Sequence, residues 1–445
     1  KLPGLPLYES LYRCIREDIL TGRLRPGDRL PSKRALAENL EVSKITVETA
    51  YSQLLSEGFI RSREKVGYFV ENVGRHSRPQ TVRPSRNPPA PQDYLLDLTS
   101  NGTEQFPFSV WSRLQREVML DYGEKLLAPL PNQGIPELRQ AISDHLAAFR
   151  GMHVDPENIL IGAGADFLYN LLIQLLGREK TYAVEEPGYG KIRKIYGAGG
   201  VRCVSAPMDR KGVRPDGLRE ADVLHFSPSH HFPTGFVTPI SRRYELLSWA
   251  SKSPNRFIIE DDYDSEFRFS GHPIPPMLNI DTEGKVIYMN TFSKTLAPSI
   301  RISYMVLPTE LMKQFRQRLG FYSCTVPSFE QYTLARFLSR GHFEKHINRM
   351  RKFYKQRRNT VVSLLENCAF SDRLTILELD AGLHFLLQVK TKRTDRELTA
   401  SLAEAGIRIR ALSEYYHDSR EERHCLVVNY SGLRDEELDG VLPTV

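Results

Sequence analysis

Residues 285–301 read KVIYMNTFSKTLAPSIR, and the meaning given to this stretch decides the fold. Lys285 to Asn290 is an apolar run of strand length, and Thr291-Phe292-Ser293-Lys294-Thr295 follows it directly. A short apolar run bounded by polar residues reads as a buried strand. A lysine at the buried end of a strand needs a partner or a depressed pKa, and a neutral amine is a good Schiff-base former. The hydroxyls of Thr291 and Ser293, with the planar fork of Arg301, would complete a cup for a phosphate.

Four more runs of the same kind lie upstream, alternating with helical patterns: Asn158 to Ile161, Thr181 to Val184, Asp222 to Phe226 and Arg256 to Glu260. Such alternation predicts an α/β fold with a mostly parallel sheet, whose ligands collect at the carboxyl ends of the strands. The first run leads into Gly162-Ala163-Gly164-Ala165-Asp166 and a long helix, where Gly164, Ala165 and Asp166 would let backbone amides approach an anion. The Asp166 carboxylate would repel a phosphate if it faced inward. After the second run, Tyr189 offers a ring on which a flat pyridine could stack, or which packs on the sheet edge. The third run leads to His230 and His231, either of which could donate to a ring oxygen. The fourth ends Glu260-Asp261-Asp262-Tyr263-Asp264. A carboxylate there can pair with a protonated pyridine nitrogen, and a phenol can bond the ring's 3-hydroxyl. These contiguous acids fan around the backbone without a second histidine-rich cluster, so no metal site is expected.

The amino-terminal part has a different character. Tyr8, Leu11, Tyr12, Ile15 and Ile19 recur at helical spacing up to Thr21-Gly22. Ser32 can cap a second helix carrying Leu36 and Leu40 inward, and Ser43 a third with Val47, Ala50, Tyr51, Leu54 and Leu55 buried. Two short helices across a tight turn have helix-turn-helix geometry, with Lys44, Thr46 and Thr49 facing outward. Phe59 to Arg63 and Gly67 to Val70 then form a hairpin, the wing, around Glu64-Lys65-Val66.

Composition agrees with two joined units. The 445 residues carry a net charge of +7, and through Asp93 sixteen Lys and Arg face eleven Asp and Glu. A basic attached module suits nucleic acid. Residues 1–71 are read as the DNA-binding domain, 72–93 as a linker rich in proline and arginine, and 94–445 as the effector domain. About twenty extended linker residues would span on the order of 60 Å. No long apolar segment or signal-peptide pattern is present, and the five cysteines are scattered, so a cytoplasmic location without disulfides is expected.

Gly27 to Gly58 resembles the GntR family of winged helix-turn-helix regulators through Leu30-Pro31-Ser32-Lys33-Arg34, Leu36-Ala37, Val42-Ser43-Lys44, Thr46-Val47 and Ala50-Tyr51. That resemblance implies that Ser32 and Arg34 grip phosphates, that Ser43, Lys44 and Thr46 face the major groove, and that Lys33 and the wing's Gly67 join the DNA-facing set. Where relatives often have arginine this chain has Lys44, which lacks a bidentate fork. The five strand ends, with Asn132-Gln133-Gly134 and Pro233-Thr234-Gly235, resemble fold-type I pyridoxal-phosphate enzymes of the aspartate aminotransferase kind from about Asp97 onward. By position this makes Lys294 the Schiff-base lysine, Asp261 the partner of the pyridine nitrogen, Tyr263 the partner of the 3-oxygen and Tyr189 the stacking ring. The joint architecture is similar to MocR-type regulators, which implies a homodimer, described in that family as head-to-tail with swapped heads.

Aminotransferases and γ-aminobutyrate-responsive MocR regulators hold a substrate carboxylate with an arginine in a segment matching Val427 to Leu433. Here Gly432 stands at that place, Lys191 replaces a second arginine, and Arg434 is the neighbouring alternative. The expected effector is therefore pyridoxal 5′-phosphate itself, as in the vitamin B6 regulators of PdxR type, with the large domain a sensor rather than an enzyme. An amino-acid sensor and an active aminotransferase are the competing readings.

Overall fold

The computed structural model describes residues 5–73, 94–100, 102, 105–269, 274–379, 382–417, 422–434 and 436–437. The chain divides into two compact units, Lys1–Pro91 and Gln92–Val445. From residue 74 to 93 the stretch read as a linker lies outside the described residues.

The first unit runs α1 (Leu7–Leu20), β1 (Arg29–Leu30), α2 (Lys33–Asn39), α3 (Lys44–Ser56), β2 (Ile60–Arg63) and β3 (Gly67–Val70), with an antiparallel sheet in the order β1-β3-β2. Both serine caps form: Ser32 Oγ accepts from the Ala35 amide at 3.1 Å and Ser43 Oγ from the Thr46 amide at 3.2 Å. Each satisfies an orphan amide at a helix start. Val47, Ala50, Tyr51 and Leu54 are buried against Ile19, Leu30, Ile60 and Val70. The Tyr51 hydroxyl donates to the Pro31 carbonyl at 3.0 Å, tying α3 to the turn before α2, and burial pushes its phenol up to about 12. Two details differ from expectation. Leu40 is 47% exposed, because α2 has only two turns and Leu40 falls at its C-cap, so Ala37 fills the buried position. The short β1 was not anticipated. It positions Arg29, whose guanidinium donates to the Val66 carbonyl at 2.6 Å and lies against Gly67, holding the wing.

The second unit begins with β4 (Leu96–Asp97), paired to residues 407–408, then α4 (Phe108–Tyr122) and α5 (Pro136–Arg150). Its main sheet contains β5 (Ile159–Gly162), β6 (Thr181–Glu186), β7 (Arg202–Asp209), β8 (Gly212–Val213), β9 (Val223–Phe226), β10 (Phe257–Asp261), β11 (Val286–Thr291) and β12 (Ser303–Val306). The order is β5-β12-β11-β10-β9-β6-β7-β8. Leu224, Ile258, Ile259, Val286 and Ile287 are wholly buried, as both-face-covered parallel strands require. All five expected strands are present within one or two residues of their expected ends. The unanticipated β7 is a partly exposed strand without a continuous apolar run, and β12 is only four residues long. Because β12 is antiparallel to both β11 and β5, its start lies at the sheet edge where those strands end. That reversal carries Arg301 to the same edge as Gly162 and Thr291. Helices α6 (Ala165–Leu176) and α7 (Gly190–Ala198) leave this edge after β5 and β6. A smaller antiparallel sheet follows, with strands at 374–377, 384–389, 410–411 and 425–429. No helix among the described residues is long and apolar enough to cross a membrane.

Candidate cofactor pocket and DNA-facing surface

The end of β5 turns at Gly164, whose φ of +89° favours glycine, and a Cβ there would lie 2.3 Å from the Arg301 guanidinium. Arg301 itself has φ +50° and projects from the start of β12 onto this turn. Ala165 and Asp166 open α6, so the helix dipole and its first amides face the same corner as the guanidinium. The Asp166 carboxylate lies here too: it accepts from Lys191 Nζ at 2.6 Å and from Arg301 at 3.4 Å. At the end of β11, Thr291 Oγ1 accepts from the Ser293 amide at 3.1 Å and from the Ser303 hydroxyl at 2.7 Å. Its own proton is therefore available for an outside acceptor. Ser293 is half-buried in the same turn.

Asp261 closes β10 and is held by one oxygen. Its Oδ2 accepts from the Tyr169 hydroxyl at 2.5 Å and from His225 Nε2 at 3.3 Å. The carboxylate can only accept, so His225 carries its proton on Nε2 and accepts a hydrogen bond at Nδ1 from the Tyr196 hydroxyl, 2.6 Å away. Burial raises both phenols, which keeps them donors. This leaves Asp261 anchored, with Oδ1 as the oxygen for a further cation.

Lys294 is half-buried, and desolvation lowers its ammonium pKa while Asp264 opposes the shift. His230 Nδ1 is 2.8 Å from Asp264 Oδ2 and 3.3 Å from the Tyr263 hydroxyl. The shorter contact decides the tautomer: Nδ1–H donates to the carboxylate, and the phenol proton remains for another acceptor. His230 Nε2 is buried without a hydrogen-bond partner, and the ring lies so close to Gly382 that a Cβ there would come within 1.9 Å. His384, buried beside His230 with ring centroids 5.0 Å apart, donates to the Pro233 carbonyl and is held well below its usual pKa by burial and by His230. Tyr189 stands 52% exposed with its ring edge-on to Phe232.

On the first unit, the residues expected to face DNA are mostly solvated. Arg34 is paired with Glu38 at 2.9 Å on the helix surface, and Lys33 reaches Glu48 at 2.7 Å. Ser43 shares a 2.9 Å hydrogen bond with Thr46, and the Thr49 hydroxyl donates to the Ile45 carbonyl. Lys44 is exposed at the start of α3, and Gly67 sits half-buried under Arg29. Ile45 is 74% exposed beside Lys44. An apolar residue out of phase with the buried stripe was the available signal.

Residues 7–70 match the family of bacterial regulatory proteins of gntR type, and residues 94–444 match aminotransferase class I and II. The chain is 37% identical to an uncharacterized HTH-type transcriptional regulator, YdeL, of Bacillus subtilis, with 93% of this chain and 90% of that one covered. It is 33% identical to the probable rhizopine catabolism regulatory protein MocR of Rhizobium meliloti, with coverage of 96% and 91%. To the HTH-type pyridoxine biosynthesis transcriptional regulator PdxR of Corynebacterium glutamicum it is 32% identical, covering 92% and 88%. The chain belongs to the MocR-type regulators. The second unit has the aminotransferase fold: a kynurenine aminotransferase of Pyrococcus horikoshii superimposes with a TM-score of 0.69 at 24% identity, over 79% of this chain and 89% of that one.

A MocR-type domain that held an amino acid would need a cation for its carboxylate. A Cβ on Gly432 would lie 2.4 Å from Ser100 Oγ and 2.8 Å from the Ser100 carbonyl oxygen, so no side chain can project there without moving Ser100. Lys191 is engaged by Asp166, and Arg434 directs its fork at Glu437 at 2.8 and 3.0 Å.

Proposed function

We propose that this MocR-type regulator responds to pyridoxal 5′-phosphate through Lys294 and controls genes of vitamin B6 synthesis. The closed Gly432 position carries this reading against an amino-acid effector, because the usual place for a carboxylate-binding arginine is filled by Ser100. The residues present fit the cofactor. Glycine at 164 lets the Arg301 guanidinium lie on the turn where any Cβ would strike it, with Arg301, Thr291 and Ser293 as donors for a phosphate. His230 Nε2 is a buried atom without a hydrogen-bond partner, on the ring that contacts Asp264 and Tyr263.

Pyridoxal 5′-phosphate supplies an aldehyde that a neutral amine can capture and a ring nitrogen basic enough to be protonated. Burial, by depressing the Lys294 pKa, enlarges the neutral fraction of that amine. Asp261, anchored through Oδ2, would hold the proton at the ring nitrogen with Oδ1. Tyr263 would donate to the 3-oxygen, and Tyr189 would cover the ring and exclude water from one face. Ser32, Lys33, Arg34, Ser43, Lys44, Thr46 and Gly67 would meet the DNA. A dimer, head-to-tail with swapped heads as the family suggests, would present two such surfaces to two half-sites.

The test uses a duplex selected by the full chain from a randomised pool. Its affinity is measured without effector, with pyridoxal 5′-phosphate and with γ-aminobutyrate, for wild type and Lys294→Ala. A response to the cofactor alone, lost in Lys294→Ala, is expected. A response only when the amino acid is added would overturn the sensor assignment.

A further inference from the structure

The phosphate corner contains an anion of the protein's own. Asp166 sits in the first turn of α6 with Lys191 Nζ at 2.6 Å and the Arg301 guanidinium at 3.4 Å, while Arg301 lies on the Gly164 turn that would cradle a phosphate. An acidic residue in a first helical turn usually serves only the helix dipole. Here it also occupies two cations at once, and one of them is the arginine of the cup. Residues 166, 191 and 301 come from three separate elements, so this grouping is a product of the sheet order and not of local sequence.

We propose that Asp166 is an internal competitor for the cofactor's phosphate. Its carboxylate shares Arg301 with the incoming dianion and engages Lys191 through the same oxygen, which weakens cofactor retention and makes occupancy follow the free concentration. An enzyme gains from holding such a cofactor permanently. A sensor must release it, and a fixed negative charge beside the phosphate site favours release. All three side chains are partly solvated, so the effect is moderate and sensitive to salt. This inference rests on the reading that pyridoxal 5′-phosphate binds at Lys294.

The experiment titrates wild type, Asp166→Asn, Asp166→Glu and Lys191→Ala with pyridoxal 5′-phosphate and with pyridoxal, which lacks the phosphate, following absorbance at low and high salt. Asp166→Asn should bind pyridoxal 5′-phosphate about tenfold more tightly, as expected for removing one repulsive charge near a partly solvated site. Its affinity for pyridoxal should stay within about twofold of wild type. Asp166→Glu should keep the weak wild-type binding. Lys191→Ala, which leaves Asp166 less neutralised, should bind pyridoxal 5′-phosphate more weakly, and raising the salt should shrink each difference. An unchanged or weaker affinity in Asp166→Asn, or an equal gain for pyridoxal, would overturn the proposal while leaving the cofactor reading intact. Failure of wild type to bind either compound would remove that reading and this one together.

Discussion

The two candidate binding regions of this chain keep their charges in opposite ways. In the large unit the ionisable groups at and beside the end of β10 are buried and committed: Arg150 and Asp262, each almost without exposure, pair at 2.6 Å, and Asp261 is held by Tyr169 and His225. In the first unit Arg34, 83% exposed in its side chain, holds Glu38 by a surface contact one helical turn away. Surface pairs of that kind contribute about 0–1 kcal/mol, whereas breaking a buried pair costs about 3–5 kcal/mol. A small ligand must find its partners aimed beforehand, so folding fixes them. A DNA surface brings its own charge, so the protein side can wait in water and exchange one weak partner for a stronger one.

Several measurements would break or sharpen this contrast. The largest effect should come from Lys294→Ala, which removes the capturing amine. Visible absorbance with pyridoxal 5′-phosphate and the cofactor's influence on DNA affinity should vanish, while DNA affinity without cofactor stays within about twofold. Next, Arg150→Met leaves Asp262 charged and buried, and should destabilise the large unit by about 3–5 kcal/mol in denaturant titration. A loss below about 1 kcal/mol would erase the distinction between the two regions.

Acid should act more gradually. Burial holds His231 down at about 3 and His346 at about 4, against 6.5 for each when exposed. Between those values the unfolded chain binds more protons than the folded one, so stability falls as pH drops below about 6.5. Each histidine contributes up to about 1.4 kcal/mol per pH unit until its folded pKa is reached. His346→Gln should flatten the upper part of that slope, and a pH-independent stability from 6.5 to 4.5 would contradict the assignment.

The head should show the smallest effects. Ser32→Ala removes the cap on α2 and should cost about 1 kcal/mol of head stability, read by thermal melting. Arg34→Ala should change stability by no more than about 0.5 kcal/mol, yet weaken DNA binding and lower the salt slope by about one. A stability loss as large as that of Arg150→Met would mean the surface pair is not as weak as its exposure implies.

Sequence legibility followed the range of the interactions. Strand ends at Gly162, Glu186, Phe226, Asp261 and Thr291 were close to readable, because a buried parallel strand writes itself as an apolar run. Ser32 and Ser43 were readable as caps because capping spans three residues. Leu40 was misjudged because its helix stops a turn early, and β7 because a partly exposed strand lacks that run.

Local chemistry, then, was settled by the chain's own order of residues: which strand ends carry a lysine, an aspartate or a small-residue turn, and which serines start helices. Only the assembled sheet decided that Asp166 would meet Lys191 and Arg301, that Ser100 would fill the space beside Gly432, and that His384 would lie against His230. Periodicity and capping act within a few residues, whereas these contacts join positions from 25 to more than 300 residues apart. Their partners are chosen by the reversed strand β12 and by the order in which the others line up, and no short stretch of sequence records that order.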